Sequence, residues 1–268
     1  MKFKLGLCQM MGRMDKEESK AGARAMVTEA ARQGAKVVAL PEMWNCPYSN
    51  DYFRDYAEPA DGDAVRFLSG LAAETDVYLV GGSIPELDGG KVYNTSFIFD
   101  RRGNLLGKHR KVHLFDIDVK GGIRFMESDT LSPGADRTVI DTEFCKIGVA
   151  ICYDVRFPEL SRKMALEGAK LIILPAAFNL TTGPAHWDLT MRARALDNQV
   201  YFAAVSPARD MGGVYQAYGS TCIATPWGEF LAKADEKETI IYGDIDLDYV
   251  EAIRDQLPLL KHRKEEVY

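Results

Sequence analysis

The chain has 268 residues, 47% of them hydrophobic and 27% charged, with a net charge of −6. That composition supports a substantial folded core and excludes a disordered chain, while the negative charge argues against a nucleic-acid backbone as the main partner. No apolar stretch approaches the roughly 18 residues needed to span a bilayer, so no membrane partner is expected.

Residues 3–8 read as a strand, without the apolar region and cleavage site of a secretory signal. Ala23, Met26, Val27, Ala30 and Ala31 then recur at amphipathic-helix spacing, and Gly34 is placed to stop that helix. Residues 37–40 are short and continuously apolar, as expected of a strand covered on both faces. Further strands are expected over 77–81 and 93–100, with residues 101–104 as a turn. A segment of the same design follows later. Lys4-Leu5-Gly6-Leu7 resembles Lys146-Ile147-Gly148-Val149, and Gly34-Ala35-Lys36-Val37-Val38-Ala39-Leu40-Pro41 resembles Gly168-Ala169-Lys170-Leu171-Ile172-Ile173-Leu174-Pro175. Each pair encloses a helix-length segment. Two such pseudo-symmetric halves imply an α/β fold in four layers, an α-β-β-α sandwich. Gly183-Pro184 opens a helix over about 186–196. Strands over 201–205, 218–225 and 239–244, a turn at 226–228 and a charged tail complete the chain. With no low-complexity linker, residues 1–268 read as a single domain.

The five cysteines (Cys8, Cys46, Cys145, Cys152, Cys222) are odd in number and scattered, without a CxxC pair. They suit free thiols in a reducing, cytoplasmic setting, and neither a metal nor a cofactor is expected. His109 and His113 have the spacing of one helix face, but Lys108, Arg110 and Lys111 around them would repel a cation.

Three segments carry chemical interest. Cys152 ends the apolar run 147–151 and precedes a charged turn, where a buried strand emerges from a sheet. Glu42 follows the strand 37–40 and Pro41, and Lys111 follows another expected strand. A thiol attacks as its thiolate and so needs a base or a cation nearby. Glu42, desolvated between Pro41 and Trp44, suits a general base. Lys111 suits an oxyanion stabiliser, with the N–H of Tyr153 as a second donor by analogy with nucleophile elbows. Taken singly, a cysteine at a strand end is more often a packing residue, and Glu42 with Lys111 would be an ordinary surface pair.

The text around each residue resembles the nitrilase superfamily of carbon–nitrogen hydrolases, over essentially the whole chain. The blocks are Leu40-Pro41-Glu42-Met43-Trp44, Lys108-His109-Arg110-Lys111-Val112-His113-Leu114, and Gly148-Val149-Ala150-Ile151-Cys152-Tyr153-Asp154-Val155-Arg156-Phe157-Pro158-Glu159-Leu160. The resemblance implies a Glu–Lys–Cys triad of Glu42, Lys111 and Cys152, the same four-layer sandwich, and a homodimer. Phe115-Asp116-Ile117-Asp118-Val119, residues 125–128 and 131–134, Ala177-Phe178-Asn179-Leu180-Thr181-Thr182-Gly183-Pro184-Ala185-His186-Trp187 and Asp197-Asn198-Gln199-Val200-Tyr201 look like the ω-amidase branch. That branch hydrolyses the terminal amide of α-ketoglutaramate or α-ketosuccinamate through a cysteine thioester. It implies Glu127 as a second active-site carboxylate that orients the amide and holds Lys111.

For the substrate's far carboxylate, Arg156 suits bidentate recognition, although a structural pair with Asp154 or Glu159 fits equally well. Phe178, Thr181 and Thr182 follow a strand end on the side of Cys152, and their hydroxyl and N–H groups suit a small anion. Tyr48 is placed to line the pocket, and His186-Trp187 suits helix N-terminal packing. Competing readings are a sister-branch amidase for deaminated glutathione or N-carbamoyl compounds, a nitrilase proper, and a non-catalytic scaffold on the same fold.

Overall fold

The alternation along β1 (Lys2–Gln9) decides the layering. Phe3, Leu5 and Leu7 point into one apolar cluster, and Cys8 belongs to another on the opposite face. In β2 (Val37–Ala39), Val37 and Ala39 join the first cluster and Val38 the second. Between them α1 (Lys16–Arg32) starts at Asp15, whose carboxylate accepts the N–H groups of Glu17 and Glu18 at 2.8 and 2.9 Å. It lays Ala23, Val27 and Ala30 on the second cluster. The computed structural model describes residues 1–267.

The elements that follow are α2 (Asn50–Tyr56), α3 (Asp63–Thr75), β3 (Tyr78–Val80), β4 (Ile84–Asp88), β5 (Lys91–Phe99), β6 (Leu105–Arg110), β7 (Asp116–Asp118) and β8 (Arg124–Met126). The second half contains β9 (Thr138–Asp141), β10 (Lys146–Val149), α4 (Pro158–Leu166), β11 (Ala169–Pro175), α5 (Gly183–Asn198) and β12 (Tyr201–Val205). It ends with β13 (Cys222–Ala224), β14 (Phe230–Lys233), β15 (Thr239–Asp246) and α6 (Leu247–Gln256). One sheet has seven strands in the order β15-β1-β2-β3-β5-β4, with β6 also on β5. The other has six, in the order β14-β13-β12-β11-β10-β9. Ile147, Val149, Leu171 and Ile173 of the second sheet share the cluster of Leu5, Leu7, Val37 and Ala39, so the sheets pack face to face. Outside them, α1 and α3 cover one sheet, and α4 and α5 cover the other through Met164, Trp187 and Met191. This is the four-layer α-β-β-α sandwich expected from the sequence.

The repeated text is repeated structure. β1 pairs parallel with β2, Leu5 opposite Val37, and β10 pairs parallel with β11, Ile147 opposite Leu171. Gly6 and Gly148 occupy equivalent places for the same reason. A Cβ on Gly6 would lie 3.2 Å from Ala30 Cβ, and one on Gly148 would lie 2.9 Å from Met164 Sδ, so each lets a helix approach its strand. Two expectations need correction. His109 lies on β6, and His113 lies in the loop beyond it, so no helix face joins them. The strand expected over 218–225 is confined to Cys222–Ala224, because Ser220 has a left-handed backbone (φ 64°).

Candidate active site

Cys152 stands three residues beyond β10, at the start of a 3₁₀ turn (Cys152–Arg156), with a left-handed backbone (φ 45°). A non-glycine residue held there costs about 1–3 kcal/mol, which surrounding contacts must offset. Asp154 supplies many of them. Its buried carboxylate accepts the N–H of Ile151 at 3.0 Å and of His113 at 2.9 Å, and it contacts His109 Nε2 at 3.0 Å and His113 Nδ1 at 2.8 Å. Burial alone would raise the Asp154 pKa, but the two imidazoles and the Ile151 N–H outweigh it and hold the carboxyl well below the usual range. The His113 ring lies 3.6 Å from that of Phe157, stacked at 9°. The two histidines therefore brace the turn that carries the thiol.

Glu42 follows β2 in a turn with Met43 at φ 50°. The turn is tied to its neighbour by Ser83, whose hydroxyl accepts the Met43 N–H at 3.0 Å and whose N–H donates to Pro41 O at 3.1 Å. Lys111 directly follows β6. Since Arg110 pairs with Thr95, the next position brings Lys111 beside Asn94, and its N–H donates to Asn94 O at 2.8 Å. Both side chains then reach Glu42 Oε1, Asn94 Nδ2 at 2.8 Å and Lys111 Nζ at 3.0 Å. Glu127 opens a 3₁₀ turn after β8; its Oε1 lies 2.9 Å from Lys111 Nζ and 2.6 Å from the Tyr48 hydroxyl, and its Oε2 accepts the Phe115 N–H at 2.7 Å. Glu42, Lys111, Glu127 and Cys152 are all buried. The site thus gathers one thiol, two carboxylates and one ammonium at strand ends and adjoining turns from both halves.

The electrostatics assign different resting states to these groups. Burial raises the Glu42 pKa, Lys111 opposes that, and Glu127 adds to it; the net direction is upward. Burial would lower the pKa of Lys111, but Glu127 and Glu42 more than reverse it, so the ammonium stays charged. Burial followed by the Glu42 charge pushes the Cys152 thiol well up, with Lys111 only partly countering. The resting sulfur is therefore protonated, and attack requires a base. The neighbouring thiol acts to lower the Glu42 pKa, and buried Glu42 Oε2 has no hydrogen-bond partner among the described residues, which leaves it open to a proton. The set can remove a proton from sulfur and hold negative charge beside an ammonium, which is the chemistry of acyl transfer.

A sequence profile described as carbon-nitrogen hydrolase matches residues 4–255. The chain belongs to the carbon–nitrogen hydrolase family. A curated relative, omega-amidase NIT2 of Xenopus tropicalis, is 52% identical over 100% of this chain and 97% of its own length. The human omega-amidase NIT2 is 50% identical over 99% of this chain and 96% of its own. Among solved structures, Saccharomyces cerevisiae Nit3, a member of branch 10 of the nitrilase superfamily, superposes with a TM-score of 0.91. It is 44% identical and covers 100% of this chain and 97% of its own. As a carbon–nitrogen hydrolase with these relatives, the protein is an amide-hydrolysing enzyme of the nitrilase superfamily. Among the described residues no helix is long and apolar enough to cross a membrane.

A cavity of about 110 Å³ adjoins the charged network in this carbon–nitrogen hydrolase. Glu42, Tyr48, Cys46, Ala177 and Tyr215 are among its walls. Cys152 is not among them; it is buried and interacts with the Ala177 backbone. Tyr48, on the cavity wall, also donates to Glu127 Oε1. Cys46, read from sequence as a packing residue, is buried but borders the cavity as well.

The groups suggested for the far carboxylate fare differently. The N–H groups of Thr181 and Thr182 both donate to Asn179 Oδ1 at 2.9 Å. Arg156 pairs with neither Asp154 nor Glu159. Its guanidinium lies over the rings of Phe178 (4.9 Å) and Tyr153 (5.6 Å) and reaches His186 Nδ1 at 3.1 Å. Phe178 packs edge-on to Trp187, whose Nε1 donates to Ser220 O at 2.8 Å. Tyr153 is half-buried, its ring against Phe115 and Phe157.

Sequence reasoning missed Asn94, Ala177 and Tyr215. A signal existed for Ala177. Leu174-Pro175-Ala176-Ala177 repeats Leu40-Pro41-Glu42-Met43, so it leaves the equivalent strand on the same side of the sandwich.

Proposed function

We propose that the protein is an ω-amidase, hydrolysing the terminal amide of small dicarboxylic monoamides such as α-ketoglutaramate and α-ketosuccinamate. The observation that carries the reading is the buried Cys152 thiol beside Glu42, with Glu42 and Glu127 both joined to Lys111. Glu42 takes the thiol proton as sulfur forms a bond to the amide carbon. The carbonyl oxygen becomes an oxyanion held by Lys111 and the Tyr153 N–H. Glu42 then gives its proton to nitrogen, the C–N bond breaks, and ammonia leaves a thioester on Cys152. Water enters, Glu42 takes its proton, the C–S bond breaks and the acid is released as the thiol is restored. Glu127 positions Lys111 and the substrate amide. Support for the substrate class comes from the small cavity and from the relatives named omega-amidase. We further propose one catalytic domain over the chain, a homodimer, and a reducing, cytoplasmic setting that suits its five free cysteines.

Ammonia release from α-ketoglutaramate, compared with deaminated glutathione, an N-carbamoyl amino acid and a simple nitrile, tests the substrate class. The reading expects the highest kcat/KM on α-ketoglutaramate. A preference for another amide would move the protein to a sister branch, and turnover of the nitrile alone would overturn the amide chemistry.

A further inference from the structure

The two oxygens of Glu42 have very different surroundings. Oε1 accepts Asn94 Nδ2 at 2.8 Å and Lys111 Nζ at 3.0 Å, and the Tyr48 hydroxyl lies 3.4 Å away. The Tyr48 proton is directed to Glu127 Oε1 at 2.6 Å, so it does not serve Glu42. Oε2 is buried and has no partner among the described residues. A carboxylate oxygen accepts about two hydrogen bonds along its lone pairs, so Oε1 is filled and Oε2 is left to take a proton.

Of the two donors, Lys111 is shared. Its ammonium also contacts Glu127 Oε1 at 2.9 Å and the Tyr48 hydroxyl oxygen at 3.3 Å, and in the reaction proposed above it meets an oxyanion as well. Asn94 has no such competitor. Its Oδ1 has no partner among the described residues, and exchanging Oδ1 with Nδ2 would set two oxygens against each other, so Glu42 fixes the carboxamide orientation. Asn94 is fully buried on β5, and its main-chain O accepts the Lys111 N–H at 2.8 Å. One residue thereby ties Glu42 through its side chain and the Lys111 backbone through its main chain. A side-chain substitution removes the first contact and leaves the second.

We propose that Asn94 is the positioning residue of the general base: its carboxamide holds Glu42 Oε1 and so reserves Oε2 for the proton that leaves Cys152. The assignment rests on the reading of Glu42 as that base and adds what keeps it aimed. The thiol proton passes to Oε2 as sulfur bonds the amide carbon, and from Oε2 to the departing nitrogen as the C–N bond breaks. Without the Asn94 N–H, only a shared ammonium orients the carboxylate. The lost N–H also stabilised the charged carboxylate, so Glu42 becomes more basic. These consequences are separable. A more basic Glu42 that was still well placed would take the proton at least as readily, so slower turnover reports lost position.

The test is steady-state ammonia release against pH by the full-length parent, Asn94→Leu and Asn94→Asp proteins. The substrate is α-ketoglutaramate, or deaminated glutathione should the parent not hydrolyse the first. Leucine removes the donor at similar volume. Asn94→Asp keeps the shape and replaces the donor by an acceptor, and it carries the test should the leucine protein fold poorly. On the pH plateau kcat is expected to fall about ten-fold, the scale of one hydrogen bond to a charged group, with KM near the parent's because Asn94 does not line the cavity. The acid limb of kcat/KM moves up by about one pH unit in Asn94→Leu, and further in Asn94→Asp, whose charge adds repulsion. Lys111, Glu127, Cys152, Tyr48 and Tyr215, the other groups facing Glu42, are unchanged, so the shift reports the lost N–H. A merely structural asparagine would lower the unfolding temperature and leave the acid limb in place; that result, or a loss confined to KM, overturns the assignment. Glu42→Gln separates the two readings. If it retains turnover, Glu42 is not the base and the Asn94 assignment falls with it; if it is inactive while the acid limb of the Asn94 variants stays put, the Asn94 assignment alone falls.

Discussion

Replacing Cys152 by alanine is expected to lower amide hydrolysis about 10⁶-fold, the scale on which loss of a nucleophile disables a catalytic triad. No other cysteine can substitute. Cys8, Cys145 and Cys222 do not interact with Glu42 or Lys111, and although Cys46 borders the cavity, burial pushes its pKa far up and its sulfur donates to Pro47 O. The fold should survive. Alanine keeps the Cβ and so meets the same left-handed backbone at φ 45° that cysteine already tolerates. Asp154, which ties the turn through Ile151 and His113, is untouched. Circular dichroism and thermal unfolding should match the parent while ammonia release disappears. Residual turnover within a hundred-fold of the parent, in protein free of wild-type contamination, would remove Cys152 from the reaction.

Lys111→Met is expected to be damaging in two separate ways. Methionine is close to lysine in volume, so the loss is mainly of charge. Glu42 and Glu127 would then lie buried without the ammonium that both now contact at 3.0 and 2.9 Å. Breaking a buried ion pair by removing one partner costs about 3–5 kcal/mol. The pH dependence has a definite sign. Without Lys111 the folded-state pKa of Glu42, already raised by burial, rises further above its unfolded value, so the folded state binds more protons than the unfolded one through that window. The stability deficit is therefore largest at neutral pH and shrinks as pH falls toward the ordinary carboxylate range. Activity should fall by at least 10²–10³-fold, the loss expected for one oxyanion donor. Chemical denaturation at several pH values, beside ammonia release, checks both effects. A variant as stable as the parent at neutral pH would show that the carboxylates do not depend on Lys111.

The sequence carried the layering because the two halves repeat their text with the same side-chain alternation. Elements without that alternation were harder to see. Helix α2 has seven residues, too few to establish a period, and β7 and β8 have three each. Helix α3 was legible but unread: Ala64, Val65, Leu68, Leu71 and Ala72 are buried at helical spacing. In the site, Cys152, Glu42 and Lys111 could be singled out because each stands just past a strand end. Glu127 could not be found from the residues alone. It begins the polar run Glu127-Ser128-Asp129, which reads as solvated loop, and it is buried by Tyr48, Lys111 and the Phe115 N–H, which sequence spacing does not disclose. The occupation of the Thr181 and Thr182 N–H groups has a local reason. Asn179 accepts N–H groups two and three residues on, a turn chemistry that the text Asn179-Leu180-Thr181-Thr182 already contains. The environment of Arg156 was set by His186, thirty residues away.

The central claim is that hydrolysis proceeds through a thioester on Cys152, and the most direct test is the partitioning of that intermediate. Two substrates that share one acyl group but differ in leaving group, α-ketoglutaramate and its N-methyl amide, would be turned over with hydroxylamine present. Ammonia or methylamine leaves before the acyl group meets water or hydroxylamine, so both substrates pass through the same species. The account predicts one ratio of hydroxamate to free acid for both, whatever their relative rates. Ratios that differ between the two would mean that water attacks the amide directly, and would contradict the thioester.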